Sequence, residues 1–429
     1  MTKPRSQSQS TFSQLKDFLA YLATTKGDLS NITAPPFVLS PRSVTEIPAS
    51  WAERHALFLQ PAREADPARR ALLVLKNFLC SLKRQVYYTA AECTGEEDAE
   101  NEGDDGGAKK PLNAFLGELF LGSFEGEGED GSSGETRLIC EQVSHHPPVT
   151  ACCIYNKAYG ISSCGYVAQE TTFSATAGVK VKQVGHAIIR DEAHRESHLR
   201  TLPTMAVKGL LTGKPYPELE GTCYISSSSG YLATIKFGGS GMLGSGTRNS
   251  VHAEISNIRG GNRVLFEVDG QWNGRLTIIN SSSGKKLEEF EVDDVPLTTL
   301  ATKPRDEQSA WESRKAWSNV VQGINTGEMH VVADEKNAIE NAQREMRAAE
   351  EQASIEWPRL FFHNADTESQ EFALLAKAIP DAAARSLDPE RTAGVWKFIG
   401  VGPAEALLSD GIHRRSLGPA GQSQGVAVV

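Results

Sequence analysis

The chain has 429 residues, of which 39% are hydrophobic and 23% charged, and its formal net charge is −10 at pH 7. This composition is typical of a globular protein of one or two domains, and no apolar run approaches the ~20 residues that a membrane-spanning helix requires. No basic stripe with interleaved aromatic residues is present, so we expect no nucleic-acid partner. The acidity is concentrated in two glycine-rich segments, 96–107 and 125–130, which leave the rest of the chain near neutral.

The first predicted element is an amphipathic helix over residues 11–23. Its apolar side chains recur on one side at helical spacing, and Thr11 and Gln14 have the spacing of a capping box. Gly27 ends the helix. A helix this short is marginal alone in water, so we expect it to dock on the fold. It is either an ordinary core helix or a lid that closes an apolar cavity.

A second helix is predicted to begin at Asp66-Pro67, because aspartate is a good N-cap and proline suits the first helical position. Apolar residues then form one buried stripe, which consists of Leu72, Leu75, Phe78, Leu79, Leu82 and Val86. The seven cysteines include no Cys-x-x-Cys pair, so we expect reduced thiols, with Cys152 and Cys153 on opposite faces of a strand.

From about Phe115 to Phe290 the apolar period changes from helical to two, which indicates strands. Nine segments have strand length: Thr136–Val143, Val149–Tyr155, Gly165–Phe173, Val179–Ile189, Gly221–Ser227, Tyr231–Phe237, Ser250–Ile255, Val264–Val268 and Leu276–Ile279. So many consecutive strands with short connections favour an antiparallel meander that is closed, or nearly closed, into a barrel.

Beyond Pro296 the pattern is helical again, with helices predicted over Trp311–Val321 and from Asp334 to about Gln352. On the second helix Lys336, Glu340 and Arg344 lie four residues apart, on a different side from its narrow apolar stripe. Most charged faces of this kind are simply solvated, and that interpretation stays open. Residues 404–429 are predicted to be loosely ordered.

The most unusual chemistry lies in the octapeptide Glu141–Pro148, which places His145 and His146 between a predicted strand and a Pro-Pro pair. Proline cannot donate a ladder hydrogen bond, so the two imidazoles are expected at the rim of the sheet. Adjacent strand side chains point to opposite faces, which disfavours a metal site formed by both rings. Two rings at a rim suit an anionic group such as a phosphate monoester. The alternative is a pair of loop histidines without a role.

An enzyme is the weaker hypothesis. His194 and His198 have a spacing that chelates zinc on a helix, but they lack the His-Glu-x-x-His order and lie in a charged stretch that predicts a surface loop. Glu141 with either neighbouring histidine is a conceivable acid/base pair, yet no nucleophile is placed beside it. No P-loop, dinucleotide fingerprint or nucleophile elbow is present, so we expect no enzyme, no cofactor and no metal.

Five further motifs accompany the octapeptide: Lys109–Asn113 with Leu116–Glu118, Leu219–Gly221 with Ser226–Gly230, Gly270–Gly274, Glu312–Trp317 with the helix around Lys336–Arg347, and Gly394–Phe398. Together they resemble the oxysterol-binding-protein family of lipid-transfer proteins, in its short single-domain branch. The resemblance implies a mainly β (α+β) fold, a large incomplete antiparallel β-barrel with a lipid tunnel, an N-terminal helical lid and flanking helices. The implied parts are a tail and lid (1–33), a helical subdomain with the acidic insertion (34–110), the barrel (111–290), a C-terminal helical subdomain (291–403) and a flexible tail (404–429).

The resemblance also implies the ligands and their residues. The headgroup of phosphatidylinositol 4-phosphate is assigned to Lys110, Asn113, His145, His146, Lys336, Glu340 and Arg344, with Glu340 orienting Arg344 or accepting from an inositol hydroxyl. A sterol tunnel and lid are assigned to Leu29, Ile32, Trp51, Gln85 and Leu112. The protein is then expected to be a cytoplasmic monomer that visits organelle membranes transiently and carries one lipid at a time.

Two departures from the family pattern bear on the second lipid. Val86 stands where sterol binders carry an aromatic residue, which leaves phosphatidylserine open as the lipid exchanged for the phosphoinositide. Ala114 replaces a proline after Asn113, which we interpret as a loop change. A lipid-sensing signalling scaffold that does not transport its ligand is the other alternative.

Overall fold

The computed structural model describes residues 35–87, 109–125, 134–174, 178–210, 215–238, 247–354 and 357–411, together with residues 18, 20, 21 and 24. Almost all of the predicted lid helix, the lid residues Leu29 and Ile32, the acidic segment 96–107 and most of 125–130 lie outside the described residues. In the part of the chain that the structure describes, no helix combines the length and the apolar character needed to cross a membrane.

In chain order, helices precede and follow the strands of the main sheet. They are α1 (His55–Leu59), α2 (Pro67–Val86), α3 (Ser313–Ala316), α4 (Ser318–Thr326), α5 (Met329–Ala353), α6 (Gln370–Ala376), α7 (Asp381–Ala384) and α8 (Val401–Asp410), with 3₁₀ segments at Pro36–Val38, Val44–Trp51, Gln60–Arg63, Val292–Asp294, Arg385–Leu387 and Pro389–Thr392. Helix α2 begins where the sequence predicts, because the Asp66 carboxylate accepts the Ala68 N–H at 2.9 Å. Lys83 and Arg84 lie in its last turn, where cations favour the helix dipole.

The strands are β1 (Leu39–Ser43), β2 (Lys110–Leu112), β3 (Leu119–Phe124), β4 (Thr136–His145), β5 (Pro148–Asn156), β6 (Ile161–Ser174), β7 (Gly178–Asp191), β8 (Glu196–Arg200), β9 (Thr204–Lys208), β10 (Tyr216–Ser227), β11 (Tyr231–Gly238), β12 (Ser250–Asn257), β13 (Arg263–Gln271), β14 (Arg275–Asn280), β15 (Lys285–Glu291), β16 (Leu300–Ala301), β17 (Phe362–Ala365) and β18 (Val395–Phe398). All nine predicted strands are present. Strands β1 and β2 form a parallel pair, and β17 and β18 an antiparallel one.

The remaining 14 strands form one antiparallel sheet in the order β15-β14-β13-β12-β11-β10-β8-β7-β6-β5-β4-β3-β16, with β9 pairing both β10 and β7. Hydrogen-bonded neighbours are mostly adjacent in sequence, as in a meander. The edge strands β15 and β16 do not pair with one another within the described residues. The predicted fold class, a large incomplete antiparallel barrel with flanking helices, is therefore confirmed.

The curved sheet separates two large apolar clusters. The inner cluster gathers α2, Trp51 and residues from strands at both ends of the sheet, such as Phe120 and Leu276. The outer cluster lies between strands β4–β7 and the C-terminal elements, and includes Ile339 and Trp357. The curved sheet thus wraps around α2.

The cysteines follow the predicted alternation but not the predicted redox state. Cys152 belongs to the inner cluster and Cys153 to the outer one, which confirms that they face opposite ways. However, Cys153 is joined by a disulfide to Cys164, its cross-strand partner on β6. The prediction of seven reduced thiols is wrong for this pair, because the register places the two sulfur atoms side by side.

The C-terminal region departs from the sequence prediction in three places. The predicted element over 311–321 is divided at Trp317, whose φ of −91° and ψ of 5° separate α3 from α4. Helix α5 begins at Met329, earlier than Asp334. The predicted flexible tail begins inside α8, which is held to the sheet because the Glu405 carboxylate accepts the Tyr155 hydroxyl at 2.8 Å.

Candidate functional site

The two adjacent histidines lie at the rim of the sheet, where β4 ends. His145 is the last residue of β4, and His146 and Pro147 form the turn into β5. The register of β4 with β5 shifts between Gln142 and Ser144, so the bulge and the turn interrupt the alternation of side chains. Both imidazoles consequently line one pocket, with ring centroids 4.7 Å apart in an edge-to-face arrangement.

Glu141, at the start of the octapeptide, is fully buried and serves the backbone. Its carboxylate accepts the N–H groups of Leu360 and Phe361, each at 2.8 Å. Nearby, Arg359 Nε donates to the Val143 carbonyl at 3.1 Å. These contacts tie the end of β4 to the segment that follows α5, so Glu141 positions the rim and the acid/base role considered for it has no support.

A second buried carboxylate, Glu118, positions the loop that carries Asn113. It accepts the Thr45 hydroxyl at 2.9 Å, the Phe115 N–H at 3.2 Å and the Trp317 indole N–H at 2.9 Å. Burial raises the pKa of this carboxyl, and the hydrogen bonds oppose that shift. The loop, the N-terminal 3₁₀ segment and the start of α4 are thus held together by one side chain.

All seven residues predicted to hold the headgroup line a single pocket of about 290 Å³. Three separated stretches supply them: Lys110 and Asn113 from β2 and its following loop, His145 and His146 from the end of β4, and Lys336, Glu340 and Arg344 from α5. Leu39, Pro111, Phe115, Trp317, Ile339, Gln343 and Arg347 complete the lining. The volume is at the lower end of the range of roughly 300–1,000 Å³ for small-molecule sites, which suits a headgroup better than a whole lipid.

The pocket is strongly cationic. Its charged lining side chains are four cations and one carboxylate: Lys110, Lys336, Arg344, Arg347 and Glu340. Within α5, Lys336 is hydrogen-bonded to Glu340, and Arg344 donates to Asn341 at 2.8 Å. The resemblance implied that Glu340 orients Arg344 or accepts from an inositol hydroxyl. In the structure Glu340 is hydrogen-bonded to Lys336, which lies one turn earlier on the helix.

Both histidines are held in the neutral form. Burial, reinforced by the neighbouring imidazole and by Arg347, lowers the pKa of His145 to about 4, and burial also lowers the pKa of His146. The His145 Nδ1 is buried and has no hydrogen-bond partner among the described residues. An anion in the pocket would favour the imidazolium form and supply a partner for this ring.

Sequence reasoning missed two of the polar lining residues, Gln343 and Arg347. Gln343 follows Lys336 by seven residues and Arg347 follows Arg344 by three, so both lie on the same helical face as residues that were predicted. The side-chain Nε2 of Gln343 is buried without a partner in the described part of the chain. Extending the helical spacing of Lys336, Glu340 and Arg344 by one further turn would have predicted both residues.

The residues assigned to a tunnel are divided between the two clusters. Trp51 is 4% exposed in the inner cluster, and Gln85 donates to Ser81 Oγ at 2.8 Å in the last turn of α2, next to Val86, which packs on the same cluster. Leu112 is fully buried but belongs to the outer cluster. The structure therefore places Trp51 with the inner face of the sheet, Gln85 in the last turn of α2 and Leu112 behind the sheet.

The second histidine pair does not form a site. His194 lies in the turn after β7 and is 2.6 Å from Asp191 Oδ2, whereas His198 is fully buried on β8 and is 2.7 Å from Ser227 Oγ. The predicted surface loop over both residues is wrong for His198. Because the spacing falls on a turn and a strand, the two rings have different partners and the zinc hypothesis has no support.

The fold is a curved antiparallel sheet around a helix, and a cationic pocket lies at the rim of the sheet. The buried carboxylates of Glu118 and Glu141 hold backbone groups near this rim. This combination defines a ligand-binding β-barrel protein. The model of one family, described as Oxysterol-binding protein, matches residues 19–325. The chain belongs to the oxysterol-binding protein family, whose members are lipid-transfer proteins and not enzymes.

Relatives with similar sequences include fungal proteins of this family. The chain is 43% identical over 380 residues to the probable transporter efuK of Hormonema carpetanum, covering 88% of this chain and 51% of that protein. It is 38% identical over 362 residues to protein kes1 of Schizosaccharomyces pombe, covering 83% and 88% of the two chains. The chain thus spans about half the length of efuK and most of the length of kes1.

Solved structures with the same fold include two ORD domains. The Osh1 ORD domain in complex with cholesterol superposes with a TM-score of 0.63 at 21% identity, covering 93% of this chain and 88% of that one. The Osh3 ORD of Saccharomyces cerevisiae in complex with PI(4)P gives a TM-score of 0.59 at 20% identity, covering 85% and 90%. At this level of identity the likeness establishes the fold.

Proposed function

We propose that this protein exchanges a sterol for phosphatidylinositol 4-phosphate between membranes, one lipid at a time. The observation that carries the proposal is the pocket in which residues from three separated stretches of chain meet. Lysine, arginine and imidazole groups are the side chains that form short, charge-assisted hydrogen bonds to phosphate. No such convergence is needed for folding, since four cations placed together repel one another.

The charge of the pocket matches the proposed ligand. With neutral imidazoles, the four cations and Glu340 give the pocket a net charge of +3. A phosphate monoester carries about −1.5 to −2 at neutral pH, and the phosphodiester of the same lipid adds one more negative charge. A headgroup of about −3 therefore neutralises the pocket, whereas phosphatidylserine, with a single net negative charge, leaves most of it uncompensated.

The sterol half of the proposal is supported by family membership and by the apolar inner face of the sheet. The Osh1 ORD domain was solved with cholesterol and with ergosterol, and the Osh3 ORD with PI(4)P. If one barrel holds one lipid, the two ligands exclude each other, and exchange between two membranes follows from mass action. We propose that the protein acts as a cytoplasmic monomer that meets organelle membranes transiently.

Extraction of each lipid from liposomes tests the headgroup pocket. The double substitution His145→Ala and His146→Ala should reduce extraction of phosphatidylinositol 4-phosphate at least tenfold while sterol uptake stays at the wild-type level. His363→Ala, at an exposed histidine on β17, is the matched control and should change neither. Equal loss of both lipids in the double variant would assign the histidines a folding role and contradict the proposal.

Transport itself is tested with donor and acceptor liposomes at substoichiometric protein. Many sterol molecules transferred per protein, accelerated by phosphatidylinositol 4-phosphate in the acceptor, would support exchange. Uptake limited to one lipid per protein would instead indicate a lipid sensor. Replacing the sterol by phosphatidylserine in the donor distinguishes the two candidate second lipids.

A further inference from the structure

Arg200 is a charged residue inside the barrel. It ends β8, it is 2% exposed, and its cross-strand neighbours Ala187 and Ile225 belong to the inner cluster. The row of cross-strand partners on either side is otherwise small and apolar: Cys152, Gly165, Ala187, Ile225, Ala233 and Ile255. The guanidinium group therefore lies against the inner cluster, on the side of the sheet that faces α2.

The Arg200 side chain has aromatic neighbours, and within the described residues two of its three nitrogen atoms are buried without a hydrogen-bond partner. Its guanidinium carbon lies 4.2 Å from the ring centroid of Trp51 and 5.5 Å from that of Phe78. Its Nε and Nη2 atoms are buried without any acceptor, and no carboxylate lies within 4 Å in the part of the chain that the structure describes. The aromatic rings contact the faces of the guanidinium group, but the N–H donors along its edge have no acceptor among the described residues.

Arg70, a buried arginine on α2 that contacts β8, shows how the chain compensates such a charge elsewhere. Arg70 Nε is 2.5 Å from Glu196 Oε2, and its Nη1 donates to the carbonyls of Glu64 and Ala65 at 2.9 Å. Both its charge and its donors are compensated, as is usual for buried arginines. Arg200 differs from Arg70 in that the described residues leave one edge of its guanidinium group without an acceptor.

The charge of Arg200 is retained despite its burial. Burial lowers the pKa of its guanidinium to about 10, which still leaves it protonated at neutral pH. The thiols of Cys152 and Cys223 lie nearby, but burial raises the pKa of Cys223, so this thiol remains neutral. The described residues therefore provide no counter-charge, and an anionic ligand group would complete the environment of this side chain.

We propose that Arg200 binds the carboxylate of a largely apolar ligand held inside the barrel. Nε and Nη2 form the edge of the guanidinium group that offers two parallel N–H donors to the two oxygens of a carboxylate. One carboxylate neutralises one guanidinium, whereas a hydroxyl leaves the positive charge uncompensated and a phosphate monoester leaves negative charge in an apolar interior. This inference rests on the proposed function, in which the barrel takes up a lipid, and it adds acidic sterols or similarly shaped acids to its ligands.

Binding of matched probes to the full chain tests this assignment. The probes are cholesterol, cholenic acid, which is a sterol nucleus with a carboxylated side chain, and the methyl ester of cholenic acid. The wild type should bind the acid at least tenfold more tightly than the ester at pH 7.5. Arg200→Met should abolish this preference while cholesterol binding is kept or improved, and Arg200→Lys should retain part of the preference. Arg275→Met, at an exposed arginine on β14, is the control and should behave as the wild type.

Equal affinity of the wild type for acid and ester would overturn the inference without requiring any variant to fold. A preference that survives in Arg200→Met would overturn it as well, because the carboxylate would then be bound elsewhere. Failure of the wild type to bind cholesterol, with a strong preference for the acid, would contradict only the sterol part of the proposed function. Binding of cholesterol without any preference for the acid would contradict only the role of Arg200.

Discussion

The substitution Glu141→Gln separates the structural part of the octapeptide from its binding part. In the wild type two backbone N–H groups, those of Leu360 and Phe361, share one buried carboxylate at 2.8–3.1 Å. Hydrogen bonds to a charged acceptor contribute about 1.5–3 kcal/mol each, against about 1 kcal/mol for a neutral one. The amide also directs an NH₂ group towards these donors, so we expect a loss of about 2–4 kcal/mol in the free energy of unfolding.

Urea unfolding followed by tryptophan fluorescence measures this loss through the midpoint and slope of the transition. Glu289→Gln, at an exposed carboxylate on β15, is the matched control and should leave the midpoint unchanged. A Glu141→Gln variant as stable as the wild type would show that the carboxylate does not hold the end of β4. The position of the two histidines would then need another explanation.

Two further predictions concern stability. Burial lowers the pKa of His186 to about 3, so the unfolded state takes up a proton as the pH falls below about 6.5 while the folded state does not. At about 1.4 kcal/mol per pH unit, His186 should lower the free energy of unfolding by about 2 kcal/mol between pH 6.5 and 5. In urea unfolding, the His186→Phe variant should lose less stability than the wild type over this range. Identical stability–pH profiles of the two proteins would refute this prediction. Gly270→Ala should lower the thermal midpoint of unfolding markedly, because φ is +147° and a Cβ would lie 2.1 Å from the Arg275 carbonyl oxygen. In the control Gly402→Ala the added Cβ meets no atom within 4 Å, so the thermal midpoint should not fall.

Local patterns predicted the elements whose faces differ in polarity. Strands β4–β7 and β10–β14 were found because their side chains alternate, and α2 because Asp66, Pro67 and the apolar stripe all agree. Strands β3, β8, β9 and β15 were missed: β8 and β9 have five residues each, β3 begins with an uninterrupted apolar run, and β15 is mostly charged. The break at Trp317 was also missed, because it depends on a hydrogen bond to Glu118, 199 residues away in sequence.

The family resemblance named seven residues that line the rim pocket, but their geometry could not be predicted from the sequence. That His145 and His146 line the same pocket depends on a bulge in β4 and on the turn after it, and neither follows from the alternation of side chains. The sequence alone left an acid/base role for Glu141 open. Its hydrogen bonds to two backbone N–H groups give it a structural role instead. The pairing of Glu340 with Lys336 was equally open, since the helix offers a cation at four residues in each direction.

Strand β8 shows most clearly where a sequence pattern is ambiguous. Glu196, His198 and Arg200 alternate with Ser197 and Leu199, and charged residues at period two usually mark the solvated face of a strand. Here the other face is covered as well: Leu199 packs in a small cluster with side chains of α6. The polar row turns inward, and long-range partners compensate two of its members, Arg70 for Glu196 and Ser227 for His198. Those partners come from other parts of the chain. Among the described residues Arg200 is left without one, which is why we propose this position for a ligand group.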